Sequence, residues 1–101
     1  MEWNDLSAIF AEPDVIEICI NGSHSLWVYR GIRGEKRASP FTSASEMTKW
    51  LQCFAAERRV RLDPTFPANG GSLVEGGFRW HGVLCAIAPD GPLMPLRTPE
   101  F

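Results

Sequence analysis

The sequence predicts an α+β domain: an antiparallel sheet with helices packed on one face. Three observations carry that expectation. Two apolar runs flank an Asn-Gly in "VIEICINGSHSLWVYR", residues 15–30. A single strongly amphipathic helix pattern fills residues 43–58. Strand-like apolar runs then return in the last quarter of the chain.

A short helix comes first. Asn4 or Asp5 can cap it, Trp3, Leu6, Ile9 and Phe10 fall near one face, and Pro13 stops it. In residues 15–20, Ile16, Ile18 and Ile20 alternate with Val15, Glu17 and Cys19. That period of two predicts a strand with the isoleucines on the core face and Glu17 on the other. Leu26-Trp27-Val28-Tyr29 reads as its hairpin partner, and Asn21-Gly22 supplies residues that tolerate the positive φ of a tight connection. "GIRGEKRASP" (31–40) reads as a turn-rich basic stretch that leaves room for a short third strand, with a solvated loop preferred to an anion patch.

The helix at 43–58 opens with a Ser43–Glu46 capping pattern. Met47, Trp50, Leu51, Phe54 and Ala55 form its buried stripe, and Arg58 and Arg59 close it where the helix dipole favours cations. "LDPTFPANGG" (62–71) reads as a loop. "FRWHGVLCAIA" (78–88) reads as a long strand with Phe78, Trp80, Gly82, Leu84 and Ala86 on one face and Arg79, His81, Val83, Cys85 and Ile87 on the other. A turn at Pro89-Asp90-Gly91 leads into "PLMPLR", which Pro95 should confine to a sheet edge or break.

A length of 101 residues is that of one domain, residues 1–101, and 45% hydrophobic content allows a modest core. The net charge of −2 argues against a nucleic-acid partner. Of ten basic residues only Lys36 and Lys49 are lysines; the rest are arginines, the side chain suited to bidentate contact with phosphate or carboxylate. Cys19, Cys53 and Cys85 are widely spaced within apolar runs, which fits free thiols in a reducing cytosol rather than a disulfide framework or a zinc site. The first residues lack the pattern of a signal peptide, and no apolar run reaches a membrane span.

The sequence contains no G-x-x-x-x-G-K-[ST] and no G-x-S-x-G, so neither a P-loop nor a nucleophile elbow is present. His81 and Cys85 share a strand face but stand roughly 13 Å apart at about 3.3 Å per residue, too far for a direct hydrogen bond. No catalytic residue and no metal site are expected. What remains is Arg79 and Arg97, either strand arginines with their heads in solvent or two guanidinium groups aimed at one anion. A turn at Asp90-Gly91 would leave them offset by about five residues, roughly 16 Å, unless a bulge or Pro89 shortens the longer arm.

Taken in order, these residues resemble the N-terminal domain of the type II/type IV secretion ATPases, closest to the branch that drives tight-adherence (Flp-type) pili. Pro13, Asp14, Val15, Glu17, Ile18, Ile20, Asn21 and Gly22 match that branch's opening D-P-x-V-[T/S]-E-I-x-[V/I]-N-G. Pro67, Leu73, Gly76, Arg79, Pro89, Gly91, Pro92 and Arg97 fall where the later motifs of the family fall. The resemblance runs from about residue 5 to 99. It departs at Val74-Glu75-Gly76-Gly77, where the family has Pro-Asp-Gly-Ser, at Phe66 and at Pro95.

The resemblance implies a PAS-like unit packed over a separate RecA-like domain in a hexameric ring. Arg79 and Arg97 would contact nucleotide phosphates lying between the two domains. ATP and Mg²⁺ would be bound only with that downstream ATPase domain, and the chain alone would not be an enzyme. Its partners would be the RecA-like domain, neighbouring subunits and secretion-machinery proteins. Its place would be cytoplasmic, brought to the inner-membrane face through those partners. The chain would be a fragment or a stand-alone copy, with Glu100-Phe101 native or a cloning remnant. The alternative is a small adaptor of a secretion system that has lost nucleotide contact. A small enzyme using Cys85 or His81 is a third reading.

Overall fold

The computed structural model describes residues 2–72, 77–84 and 91–98. Leu73, Val74, Glu75, Gly76, Cys85, Ala86, Ile87, Pro89, Asp90, Glu100 and Phe101 lie outside the described residues. The elements run α1 (Trp3–Phe10), β1 (Glu17–Asn21), β2 (Ser25–Arg30), β3 (Arg33–Arg37), α2 (Ala44–Glu57), β4 (Ala68–Ser72), β5 (Arg79–Val83) and β6 (Leu93–Arg97). The strands form one antiparallel sheet in the order β3-β2-β1-β6-β5-β4, so the fold is α+β.

The core lies between one sheet face and the two helices. Ile18, Ile20, Val28, Trp80, Met94 and Leu96 from the sheet meet Leu6 of α1 and Met47, Leu51, Phe54 and Ala55 of α2. The amphipathic reading of α2 therefore stands. Ser43 is its N-cap and accepts from the Glu46 N–H at 3.1 Å, while the Glu46 carboxylate reaches past Ser43 to the Thr42 hydroxyl at 2.7 Å. At the other end Arg58 donates to the Phe54 carbonyl at 3.1 Å. The first helix starts earlier than expected: Glu2 is the N-cap, and its N–H donates to Asp5 Oδ2 at 3.0 Å.

Four sequence expectations are corrected. Val15, not Ile16, joins the core, because the strand begins only at Glu17, after Asp14 has turned the chain at φ 64°. Residues 33–37 form the short third strand for which the stretch leaves room, in place of the preferred solvated loop, and the charges on Arg33, Glu35, Lys36 and Arg37 suit a sheet edge by blocking further pairing. Within 62–71, the stretch Ala68–Ser72 becomes the opposite edge strand, drawn into the sheet by β5 despite its glycines.

The fourth correction concerns Pro95, which lies in β6 between β1 and β5 and not at an edge. Hydrogen bonds from Thr98 N to the Ile16 carbonyl and from Gly22 N to the Pro92 carbonyl show that even-numbered positions of this strand bond to β1. Pro95 is odd, so its missing N–H faces β5. There the paired positions are Arg79–Arg97, Trp80–Leu96 and Val83–Leu93, with a gap around Pro95.

A charged cluster ties α1 to the β3 edge. Glu12 accepts from Arg30 at 2.7 Å and from both terminal nitrogens of Arg37 at 2.8 and 2.7 Å, while Glu35 accepts from Arg37 Nε at 2.6 Å. The Arg37 and then the Arg30 hydrogen bonds hold the Glu12 carboxyl down to about 2 from an ordinary 4.5. A depressed carboxylate pKa stabilises the fold above the unfolded value and ceases to do so as pH falls through the folded one. The thermal midpoint is expected to drop between pH 4.5 and about 2, and Glu12→Gln should flatten that slope in a pH series of melting curves. An identical slope in the variant would show that Glu12 does not hold the helix.

Candidate functional site

The face of the sheet opposite the helices carries a row of cross-strand partners running Gly34, Tyr29, Glu17, Arg97, Arg79, Ser72. Directly opposed residues of antiparallel strands point to the same side, with Cβ atoms about 4.5–5.5 Å apart. Arg79 and Arg97 are such a pair. The offset of about five residues expected from a turn at Asp90-Gly91 is therefore corrected to none. β5 ends at Val83 and β6 starts at Leu93, and residues 85–90, where the turn is expected, lie outside the described residues.

The two arginines differ in their surroundings. Arg97 donates to Glu17 Oε1 from Nε at 3.0 Å and from Nη2 at 2.7 Å. Arg79 is exposed and makes no ion pair among the described residues. Shallow depressions flank the pair: Ile16, Tyr29 and Gly31 lie beside Glu17 and Arg97, and Gly70, Gly71, Ser72 and His81 lie beside Arg79. His81 is exposed on this same face, and Cys85, its suggested companion, lies outside the described residues.

The rest of this face is half-buried and apolar. Trp27 and Tyr29 stack at 6.2 Å between ring centroids. They lean over Gly34, where a Cβ would stand 3.0 Å from Tyr29 Cε1 and 3.2 Å from Trp27 Cε3. Cys19, Pro95, Leu93 and Val83 extend the surface across the sheet. Burial first, and the neighbouring Glu17 charge second, push the Cys19 thiol up, which keeps it protonated and a poor nucleophile. Among the described residues no group of three or more His, Cys, Asp or Glu is placed to hold a metal, and no helix is long and apolar enough to cross a membrane.

Among the described residues, two large apolar side chains stand out in solvent. Ile32 sits fully exposed at the β2–β3 turn, and Phe66 is exposed on the loop before β4. That loop is internally braced. The Asp63 carboxylate accepts from the Thr65 hydroxyl at 2.7 Å, from Arg61 Nε at 2.9 Å and from the Phe66 N–H at 2.9 Å. Those bonds, Thr65's foremost, hold its carboxyl well below the usual carboxylate range.

A solved structure aligns along almost the whole chain. It is the VirB11 ATPase from the Brucella suis type IV secretion system, in complex with sulphate, with a TM-score of 0.79 and 18% identity. The chain shares its fold with part of VirB11. The alignment covers 97% of this chain and 30% of that of VirB11, so the chain spans under a third of the length of that ATPase. No family model matches the chain, and no curated protein matches it by sequence. Sequence reasoning had singled out both arginines. It had not connected them to Glu17, whose position on the outer face of an apolar strand was the available signal, nor to Ser72 or His81.

Proposed function

We propose that this chain is a non-catalytic domain of a secretion ATPase, of the kind that precedes the RecA-like domain. Its outer sheet face meets the phosphates of a nucleotide that the RecA-like domain holds. In this reading the fold is PAS-like, the assembly is a hexameric ring at the cytoplasmic side of the inner membrane, and ATP and Mg²⁺ arrive with the second domain. The domain contributes to ring assembly and carries the motion that powers secretion or pilus assembly through contacts with the secretion machinery. Tight-adherence pili are the system its opening motif resembles most.

The observation that carries this reading is the direct pairing of Arg79 with Arg97 on the helix-free face. Like charges directly opposed across strands are destabilising. A fold has no need of such a pair, and a polyanion seated between the guanidinium groups removes the repulsion and gains two charge-assisted contacts. The similarity to VirB11 supplies the context, since that protein is a secretion ATPase.

The test uses the protein in which this domain is joined to, or assembled with, a RecA-like ATPase. Arg79→Ala and Arg97→Ala should each lower the hydrolysis rate by about a hundredfold, the scale for removing one donor to developing charge. Ring size by sedimentation should be unchanged, and the 101-residue chain alone should turn over no ATP. A double variant hydrolysing at the normal rate overturns the phosphate role. That result would favour the adaptor reading, in which exposed Ile32 and Phe66 are the contacts that matter.

A further inference from the structure

We infer that Glu17 is a built-in competitor for the anion, setting how much negative charge a ligand must carry to engage Arg97. This rests on the proposed phosphate role of the arginine pair and adds a residue to it. Across the sheet the order is Glu17, Arg97, Arg79. Glu17 thus stands on the side of Arg97 away from Arg79, and its Oε1 takes both the Nε and the Nη2 donors of Arg97. Those two donors form the edge of a guanidinium that also grips a phosphate. A ligand that takes this edge of Arg97 must displace the carboxylate oxygen, and one that uses the remaining Nη1 and Nη2 donors still meets the Glu17 charge beside it.

A carboxylate brings one negative charge to this contest. A monoanion competes with the Glu17 carboxylate at Arg97 on equal charge. A di- or triphosphate brings several charges and relieves the Arg79–Arg97 repulsion as well, so it displaces Glu17 where a smaller anion does not. Glu17 also balances one of the two facing arginines while the site is empty. Its loss is therefore expected to weaken the fold while strengthening ligand binding, an opposition that a purely structural ion pair does not produce.

The experiment is a calorimetric or NMR titration of the 101-residue chain with inorganic tripolyphosphate at about 0.15 M salt, where remote exposed charges are screened. Glu17→Gln should bind about three- to fivefold tighter than the parent, the scale of one exposed ion pair. Glu17→Asp, which keeps the charge but shortens the reach, should fall between the two. Glu57→Gln, an equal loss of charge on α2, should stay close to the parent. Adding Arg79→Ala should weaken binding in every background. Unfolding curves for each variant show that the chain remains folded under the titration conditions.

Arg79-dependent binding that Glu17→Gln leaves equal or weaker overturns this inference and spares the phosphate role. Equal tightening by Glu57→Gln also overturns it, because net charge would then be the cause. An absence of Arg79-dependent binding in both parent and Glu17→Gln overturns the phosphate role and this inference together.

Discussion

Phe54→Ala is expected to destabilise the chain by about 3–5 kcal/mol. Phe54 is where the helix layer grips the sheet. It is 5% exposed, and its ring stacks on Trp50 of its own helix at 4.9 Å. It also meets Trp80 of β5 edge-on at 5.0 Å, and the Arg58 guanidinium lies 3.6 Å above it. Truncation removes the ring from both tryptophans at once and leaves a hole between α2 and β5. A domain of this size has about 5–15 kcal/mol of stability in all, so the variant should unfold at a much lower urea concentration. A loss under ~1 kcal/mol would mean that α2 does not pack on β5 through this side chain.

The second large effect is expected at Gly70. A Cβ there would stand 2.2 Å from the Trp80 carbonyl oxygen and 2.9 Å from the His81 Cα, both backbone atoms of the neighbouring strand. Neither can swing aside, so alanine must push β4 off β5. The cost should be about 3 kcal/mol, the upper end for overpacking, with faster amide exchange concentrated in Ala68–Ser72. Gly71 is the matched control. Its added Cβ would meet Trp80 Nε1 at 3.6 Å and Val60 Cγ2 at 3.9 Å, ordinary contacts, and Gly71→Ala should cost under ~1 kcal/mol. Equal costs at the two positions would contradict the geometry of this edge.

What could be read from the sequence follows from which signals are local. The α2 stripe and the β1–β2 hairpin carry their own periodicity, so both were legible: β1 pairs with β2 from Glu17–Tyr29 to Asn21–Ser25. The two edge strands were not, beyond room for a short strand within residues 31–40. Arg33–Arg37 has the composition of a solvated loop, and Ala68–Ser72 has the glycines of one. Each becomes a strand only because a better strand beside it offers unpaired backbone groups. Pro95 misled for a related reason, since its missing N–H excludes a ladder on one side only and β1 occupies the other. At the candidate site both arginines were recognised by residue type and motif. Their register depended on where β5 and β6 end, which no local pattern marks, and the place of Glu17 beside Arg97 follows only once β1 and β6 are known to be neighbours.

The gap at Pro95 gives the sheet an uneven stiffness. From β3 through β6 each strand is tied to the next at successive positions, whereas β6 and β5 are paired at either side of the proline and not across from it. Under load the sheet should therefore yield along that seam first, with β5 and β4 swinging as a two-stranded flap. Arg97 stands on the fixed side and Arg79 on the flap. The distance between them is thus set across the least tied seam of the sheet, so a displacement of the β4 edge should change it.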